Sequence, residues 1–324
     1  MSNSKSSVRV FALACILSLS FSTLADELVI SETLLKQGDS TAAVNLALSY
    51  AKSKDFTKAF DLFAQAANQG NTDAEYHLGI MYRRGDGVPQ DYVKAAKWYE
   101  KAANQGEARA QYNLGVMYSR GEGVPQDYAK AAKWYEKAAN QGSVRAQNDL
   151  GFAYHIGEGV PQDYAQAAKW YEKAADQGNA EAQYNLGLMY DSGEGLPQDY
   201  AKAAKWYEKA ANQGDNSAQN NLGIMYNKGD GVSKDYGRAI EWYRKSANQN
   251  NANAQYNLGT IYESGEGVPQ DFNEALQWYK KAAAQNQPQA QYRLEKLYSE
   301  GKVSINLVHK PSTSTGKPVP SMSN

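Results

Sequence analysis

Gly106-Glu-Ala-Arg-Ala-Gln-Tyr-Asn-Leu-Gly115-Val-Met-Tyr-Ser-Arg-Gly121-Glu-Gly-Val-Pro125-Gln-Asp127-Tyr-Ala-Lys-Ala-Ala-Lys-Trp134-Tyr-Glu-Lys-Ala-Ala-Asn-Gln141 is one copy of a pattern that runs through most of this chain. Its tryptophan returns at Trp98, Trp134, Trp170, Trp206, Trp242 and Trp278, always 36 residues on. A strict period of that length marks an all-α solenoid of antiparallel two-helix units.

The unit divides itself. Ala108, Gln111/Tyr112, Gly115 and Tyr118 recur at helical spacing and predict a first helix. Gly121 can take the left-handed conformation that ends it. Pro125 cannot continue a helix, and Asp127 can cap the next by accepting its free amide protons. In that second helix Tyr128, Ala131, Ala132, Trp134, Tyr135, Ala138 and Ala139 form one face, leaving Lys130, Lys133, Glu136 and Lys137 wet. Gly142 closes it. The absent side chain of Gly115 lets the two helices approach closely, and Trp134 fills space between neighbouring units.

Working outward gives six full units, at 71–106, 107–142, 143–178, 179–214, 215–250 and 251–286. Residues 39–70 make a shorter helical pair that lacks four loop residues and carries Ala47 where later units have glycine. A solitary capping helix is expected over 287–301, with Arg293, Glu295 and Lys296 giving the polar outer face that a solenoid end needs. The Ser/Thr/Pro-rich stretch 302–324 is expected to be disordered.

Lys5 and Arg9 precede the apolar run Val10–Phe21 and the small-residue end Thr23-Leu24-Ala25, a secretory signal with cleavage after Ala25. The run is too short to span a bilayer, so no stable membrane insertion is expected after cleavage, and the chain is expected to be periplasmic or secreted. Residues 26–38 form a short lead-in. The one cysteine, Cys15, lies in the signal, which leaves the mature chain without a disulfide. The formal charge of −1 becomes −3 on loss of Lys5 and Arg9, which offers no electrostatic basis for nucleic-acid binding.

The motif Ala-x-Ala-x-x-x-Leu-Gly-x-x-Tyr, then Gly-x-Gly-Val-x-x-Asp, then Lys-Ala-x-x-Trp-Tyr-x-x-Ala-Ala-x-x-Gly resembles the Sel-1-like repeat family, relatives of the tetratricopeptide repeats. Residues 39–70 resemble the latter more closely. The resemblance covers about residues 39–301 and implies a right-handed α/α superhelix serving as an adaptor in protein complexes, in secreted bacterial members for envelope assembly, signalling or host contact. One cysteine-rich branch of the family is linked to β-lactam binding; this chain lacks its cysteines.

Motifs that would carry chemistry are weak. The Gly-x-Gly loops follow helices and meet a proline, unlike a dinucleotide fingerprint, which follows a strand. Two carboxylates per loop fall short of the six to eight oxygens of a Ca²⁺ site. His77, His155 and His309 occupy unrelated positions and read as surface residues, so neither metal nor cofactor is expected. Ser49-Tyr50-Ala51-Lys52 matches Ser-x-x-Lys without its companion motifs. The Glu residues at 100, 136, 172 and 208 recur on the outer face of the second helices. An enzyme is therefore not expected.

By the resemblance, the first helices line an inner groove. There the early units contribute Arg83, Arg84, Arg109, Arg120 and Arg145, and the later ones Glu181, Asp191 and Glu263. A tyrosine ladder runs alongside through Tyr76, Tyr112, Tyr184, Tyr256 and Tyr292, broken by Asn148 and Asn220. Tyrosine and arginine are the residues most often found at binding hot spots. The expected partner is another protein or peptide, gripped through an acidic or carboxylate-terminated segment by charge-assisted contacts. The alternatives are a β-lactam-interacting, hydrolase-like protein and a glycan binder that stacks sugars on the tyrosines.

Overall fold

The computed structural model describes residues 38–303; the signal, most of the lead-in and the tail from residue 304 lie outside them. Among the described residues every regular element is an α-helix, and the chain forms two compact units divided after Asn179. The first unit holds α1 (Ser40–Lys52), α2 (Phe56–Ala67), α3 (Thr72–Arg84), α4 (Tyr92–Asn104), α5 (Ala108–Arg120), α6 (Tyr128–Asn140), α7 (Val144–Ile156) and α8 (Tyr164–Asp176). The second holds α9 (Ala180–Ser192), α10 (Tyr200–Asn212), α11 (Asn216–Lys228), α12 (Tyr236–Asn248), α13 (Ala252–Ser264), α14 (Phe272–Ala283) and α15 (Pro288–Ser299). Within each unit consecutive helices pair, and the pairs stack in tandem. The expected all-α class of tandem helix pairs is what folds.

The helix ends follow the sequence punctuation. Asp127 has an extended backbone and its carboxylate accepts the Lys130 amide at 2.9 Å, which caps α6. Gly121 ends α5 at φ 69° and donates its N–H to the Met117 carbonyl. The second glycine of the loop has a different duty. A Cβ on Gly123 would lie 2.2 Å from the Tyr92 carbonyl oxygen, so the loop after α5 rests directly on the backbone that opens α4. Gly-x-Gly therefore ends a helix with its first glycine and seats one repeat on its predecessor with its second. The sequence pattern conveyed only the first role.

Packing between paired helices is equally constrained. A Cβ on Gly115 would come 2.7 Å from the Tyr135 ring, and Gly79 against Tyr99 and Gly151 against Tyr171 repeat the arrangement. The second unit does the same with Gly187–Tyr207, Gly223–Tyr243 and Gly259–Tyr279. In the short pair α1–α2 the corresponding residues are Ala47 and the buried Phe63. A phenyl ring lacks the hydroxyl of those tyrosines.

Trp134 packs against the core of the preceding repeat and is half-buried, with the Lys137 ammonium 3.9 Å above its ring. All six tryptophans carry such a lysine, three residues on. A buried glutamine adds an internal polar rung. Gln111 donates to the Ala103 carbonyl at 3.1 Å and accepts from Gln141 Nε2 at 2.8 Å, so a polar side chain inside the stack is satisfied. The rung recurs at Gln147–Gln177 and, in the second unit, at Gln183–Gln213, Gln219–Gln249 and Gln255–Gln285. The first rung differs: Glu75, 4% exposed, accepts from Gln105 Nε2 at 2.6 Å.

One expectation is corrected. His77 and His155 are half-buried rather than surface residues: His77 stacks on Phe63 with centroids 4.8 Å apart, and His155 meets Tyr164 edge-on at 5.4 Å. A neutral imidazole can fill an aromatic slot, and burial accordingly pushes the His77 pKa down. His309 lies outside the described residues.

Candidate partner-binding groove

The first unit has a cleft of about 600 Å³ along α3, α5 and the start of α7. Arg83, Arg84, Arg120 and Arg145 line it together with Tyr76, Ile80, Tyr99, Asn113 and Glu122. Each cation is placed by repeat geometry. Arg84 and Arg120 occupy the last turns of α3 and α5, just before left-handed Gly85 and Gly121, where a cation also favours the helix dipole. Arg145 stands in the first turn of α7.

Their partners divide them. Arg83 donates Nε and Nη2 to Glu122 Oε2 at 3.3 and 3.1 Å, and Arg120 Nη1 reaches Glu122 Oε1 at 3.5 Å. Arg84 and Arg145 are exposed and make no ion pair among the described residues. Arg109 is absent from this lining. Its Nε donates to Glu107 at 2.6 Å, its Nη2 pairs with Asp73, and the guanidinium lies 4.4 Å over the Tyr76 ring. It staples α5 to α3, and both carboxylates raise its pKa.

The tyrosines face inward more than outward. Tyr76, Tyr112, Tyr184 and Tyr256 are half-buried, each against the buried tyrosine of its paired helix, with centroids 6.0, 5.8, 5.9 and 5.7 Å apart. Burial, followed by the nearby Asp149 carboxylate, pushes the Tyr112 pKa up. Burial likewise pushes Tyr135 up to about 12, while its hydroxyl bonds Ser119 Oγ at 3.2 Å. Tyr292 is exposed. The two gaps in the ladder are filled by buried asparagines: Asn220 accepts from Asn257 Nδ2 at 3.0 Å, whereas Asn148 Oδ1 has no hydrogen-bond partner.

The second unit has a smaller cleft, about 290 Å³, lined by Asn227, Thr260, Glu263, Ser264, Glu266 and Arg293. Glu263 accepts from Arg293 at 3.2 Å and from the Tyr279 hydroxyl. Asp191 accepts from the Tyr207 hydroxyl at 3.3 Å. Glu122 was missed by sequence reasoning, which weighed the loop acids only as metal ligands. Its signal was an arginine 39 residues earlier, at Arg83.

Among the described residues no group of three or more His, Cys, Asp or Glu side chains could hold a metal, and no helix is long and apolar enough to cross a membrane. Ser49 Oγ donates to the Asn45 carbonyl one turn back at 3.2 Å.

Tandem helix pairs with variable residues along a groove define the class as a repeat scaffold, a fold suited to protein–protein interaction. The Sel1 repeat model matches residues 40–71, 72–107, 108–143, 144–179, 180–215, 216–251 and 252–287, and the chain belongs to the Sel1 repeat family. The match takes in the short N-terminal pair as well as the six full units. Among solved structures, the chain is similar to a protective antigen of uropathogenic Escherichia coli strains displaying an SLR fold, at 43% identity and a TM-score of 0.80 over 85% of this chain. It spans 60% of that protein's length. It also resembles a Sel1 repeat protein from Oxalobacter formigenes, at 33% identity and a TM-score of 0.70, covering 75% of this chain and 99% of that one. No curated protein matches.

Proposed function

We propose that this chain is an exported, non-enzymatic scaffold that holds an acidic segment of a partner protein in the groove of its first unit. The observation that carries this reading is the four-arginine cleft containing a single carboxylate. Clustered guanidinium groups with too few internal partners favour carboxylates, and paired N–H donors give geometric selectivity. The site is therefore Arg83, Arg84, Arg120 and Arg145, with Tyr76 as its aromatic wall. Arg109 supports that wall by lying over the Tyr76 ring and pairing with Asp73, Tyr112 packs on Tyr135 in the same unit, and Tyr184 and Tyr256 pack within the second unit. The tyrosines' commitment to ring–ring contacts weighs against sugar stacking, and the local bond of Ser49 weighs against a Ser-x-x-Lys nucleophile.

Export rests on the Lys5–Ala25 signal pattern, which points to the periplasm or exterior. Recovery of a chain beginning at Asp26 supports it; an intact N-terminus on the localised protein refutes it. For the partner, the mature chain is used for cross-linked capture with mass spectrometry, beside an R84E/R145E variant of unchanged helicity. One protein captured by the first and lost with the second, bound through an acidic segment, is the expected result. Equal capture by both places binding elsewhere and sinks the groove reading.

A further inference from the structure

We propose that Glu122 is an internal competitor for the partner's carboxylates. It occupies the ligand position at Arg83 and, loosely, at Arg120, so that Arg84 and Arg145 set the affinity of the resting groove. This rests on the acidic-segment reading above and specifies which cations deliver it.

Glu122 is held rigidly from behind. It stands between Gly121 at φ 69° and Gly123 at φ 71°, and its amide donates to the Met117 carbonyl at 3.0 Å. Gly123 is pressed on the Tyr92 carbonyl, so the backbone that carries the carboxylate cannot retreat. The side chain is only 25% exposed and faces Arg83, itself 29% exposed. One oxygen takes both Nε and Nη2 of Arg83, which is the edge that an incoming carboxylate would use.

Arg120 is held differently. Its contact is 3.5 Å long and its side chain is 62% exposed, a geometry in which an ion pair contributes little. Arg84 and Arg145 have no such partner. The lining thus presents four positive charges and one negative, and the negative one sits where an anion would bind. Asp86 and Glu158 hold the same loop position in the neighbouring repeats and make no ion pair among the described residues. The arrangement belongs to this repeat alone within the first unit, because only here does the position 39 residues upstream carry an arginine.

An anion reaching Arg83 must displace Glu122, whereas one reaching Arg84 or Arg145 displaces only water. The resting groove therefore selects closely spaced carboxylates that bridge Arg84, Arg145 and the loosely held Arg120.

The test uses the mature chain and fluorescein-labelled hexaglutamate, read by fluorescence anisotropy at fixed salt, with helicity checked for each variant. Glu122→Gln is expected to tighten binding about tenfold, and Arg84→Gln and Arg145→Gln each to weaken it about tenfold. The R83Q/E122Q double variant restores the resting charge without the competitor and is expected to bind within twofold of the parent. Asp86→Asn adds the same positive charge in the neighbouring loop while freeing no arginine, and is expected to change binding less than twofold.

Unchanged or weaker binding by Glu122→Gln overturns the inference, as does an equal gain from Asp86→Asn, which would reduce it to a long-range charge effect. If the parent binds and loses affinity with Arg84→Gln while Glu122→Gln has no effect, only this inference fails. If neither parent nor Glu122→Gln binds hexaglutamate, the acidic-segment reading fails with it.

Discussion

Arg83 and Glu263 occupy the same place in the repeat, five copies apart, and they make the two clefts opposite in character. In the first unit the position is a cation beside Arg84 and Arg120, answered by Glu122 alone. In the second it is an anion beside Glu266, answered by Arg293 and the Tyr279 hydroxyl. The surrounding frame is the same. Gly79 meets Tyr99 as Gly259 meets Tyr279, and both helices end on left-handed glycines. Packing is thus fixed by alanine, glycine, leucine and buried tyrosine, while the last turn of each first helix is free to vary in charge.

The comparison can be broken first at the frame. Gly123→Ala and Gly231→Ala each force a Cβ within 2.2 Å of a backbone carbonyl, of Tyr92 and Tyr200 respectively, at positive φ. Each is expected to cost about 3 kcal/mol, with similar losses in both units, measured by urea unfolding. A loss confined to one unit would show that the frames are not equivalent.

Charge comes next. R84E/R145E is expected to weaken hexaglutamate binding about 100-fold, roughly 2.7 kcal/mol, while E263Q/E266Q leaves it unchanged. Equal effects would remove the distinction between the clefts.

The odd rung follows. Burial raises the Glu75 pKa, against the opposing pull of Lys101 and the Gln105 hydrogen bond. A carboxyl whose folded pKa is raised is at no disadvantage while protonated in both states, and it loses stability as pH climbs through the folded value. Glu75→Gln is therefore expected to be about 1 kcal/mol more stable than the parent at pH 7, with the gap closing below the ordinary carboxylate range. Urea titrations at pH 4 and pH 7 check both sign and window; a gap that widens in acid contradicts the assignment.

The smallest effect belongs to the outer face. Lys137→Met and Lys245→Met each remove one ammonium from over a tryptophan, at 3.9 and 3.8 Å, and are expected to cost about 0.5 kcal/mol in either unit. Thermal melts in low and high salt read it.

Much of this architecture was legible in the chain because its causes are local. Asp127, Gly121 and Gly115 act on their own or the paired helix, so the period alone exposes them. The arginine cluster was legible as a set, since Arg83, Arg84, Arg120 and Arg145 converge on one cleft. The diversion of Arg109 was not, because it depends on Asp73 on another helix and on Glu107 at the cap. The glutamine rungs escaped for a similar reason. Gln141 stands at the C-terminal cap of α6, and its partner Gln111 is 30 residues away, with a hydrogen bond that neither position announces. Glu122 belongs with these, its meaning supplied by Arg83.

The contact of Gly123 with the Tyr92 carbonyl has one more consequence. At Gly87, Gly123, Gly159 and Gly231 the second loop glycine meets a backbone carbonyl group of the preceding repeat, so that point of the joint makes no demand on the neighbour's side chain. A 36-residue cassette moved to another place keeps that point of the joint, while its tryptophan and glutamine contacts have to match the new neighbour.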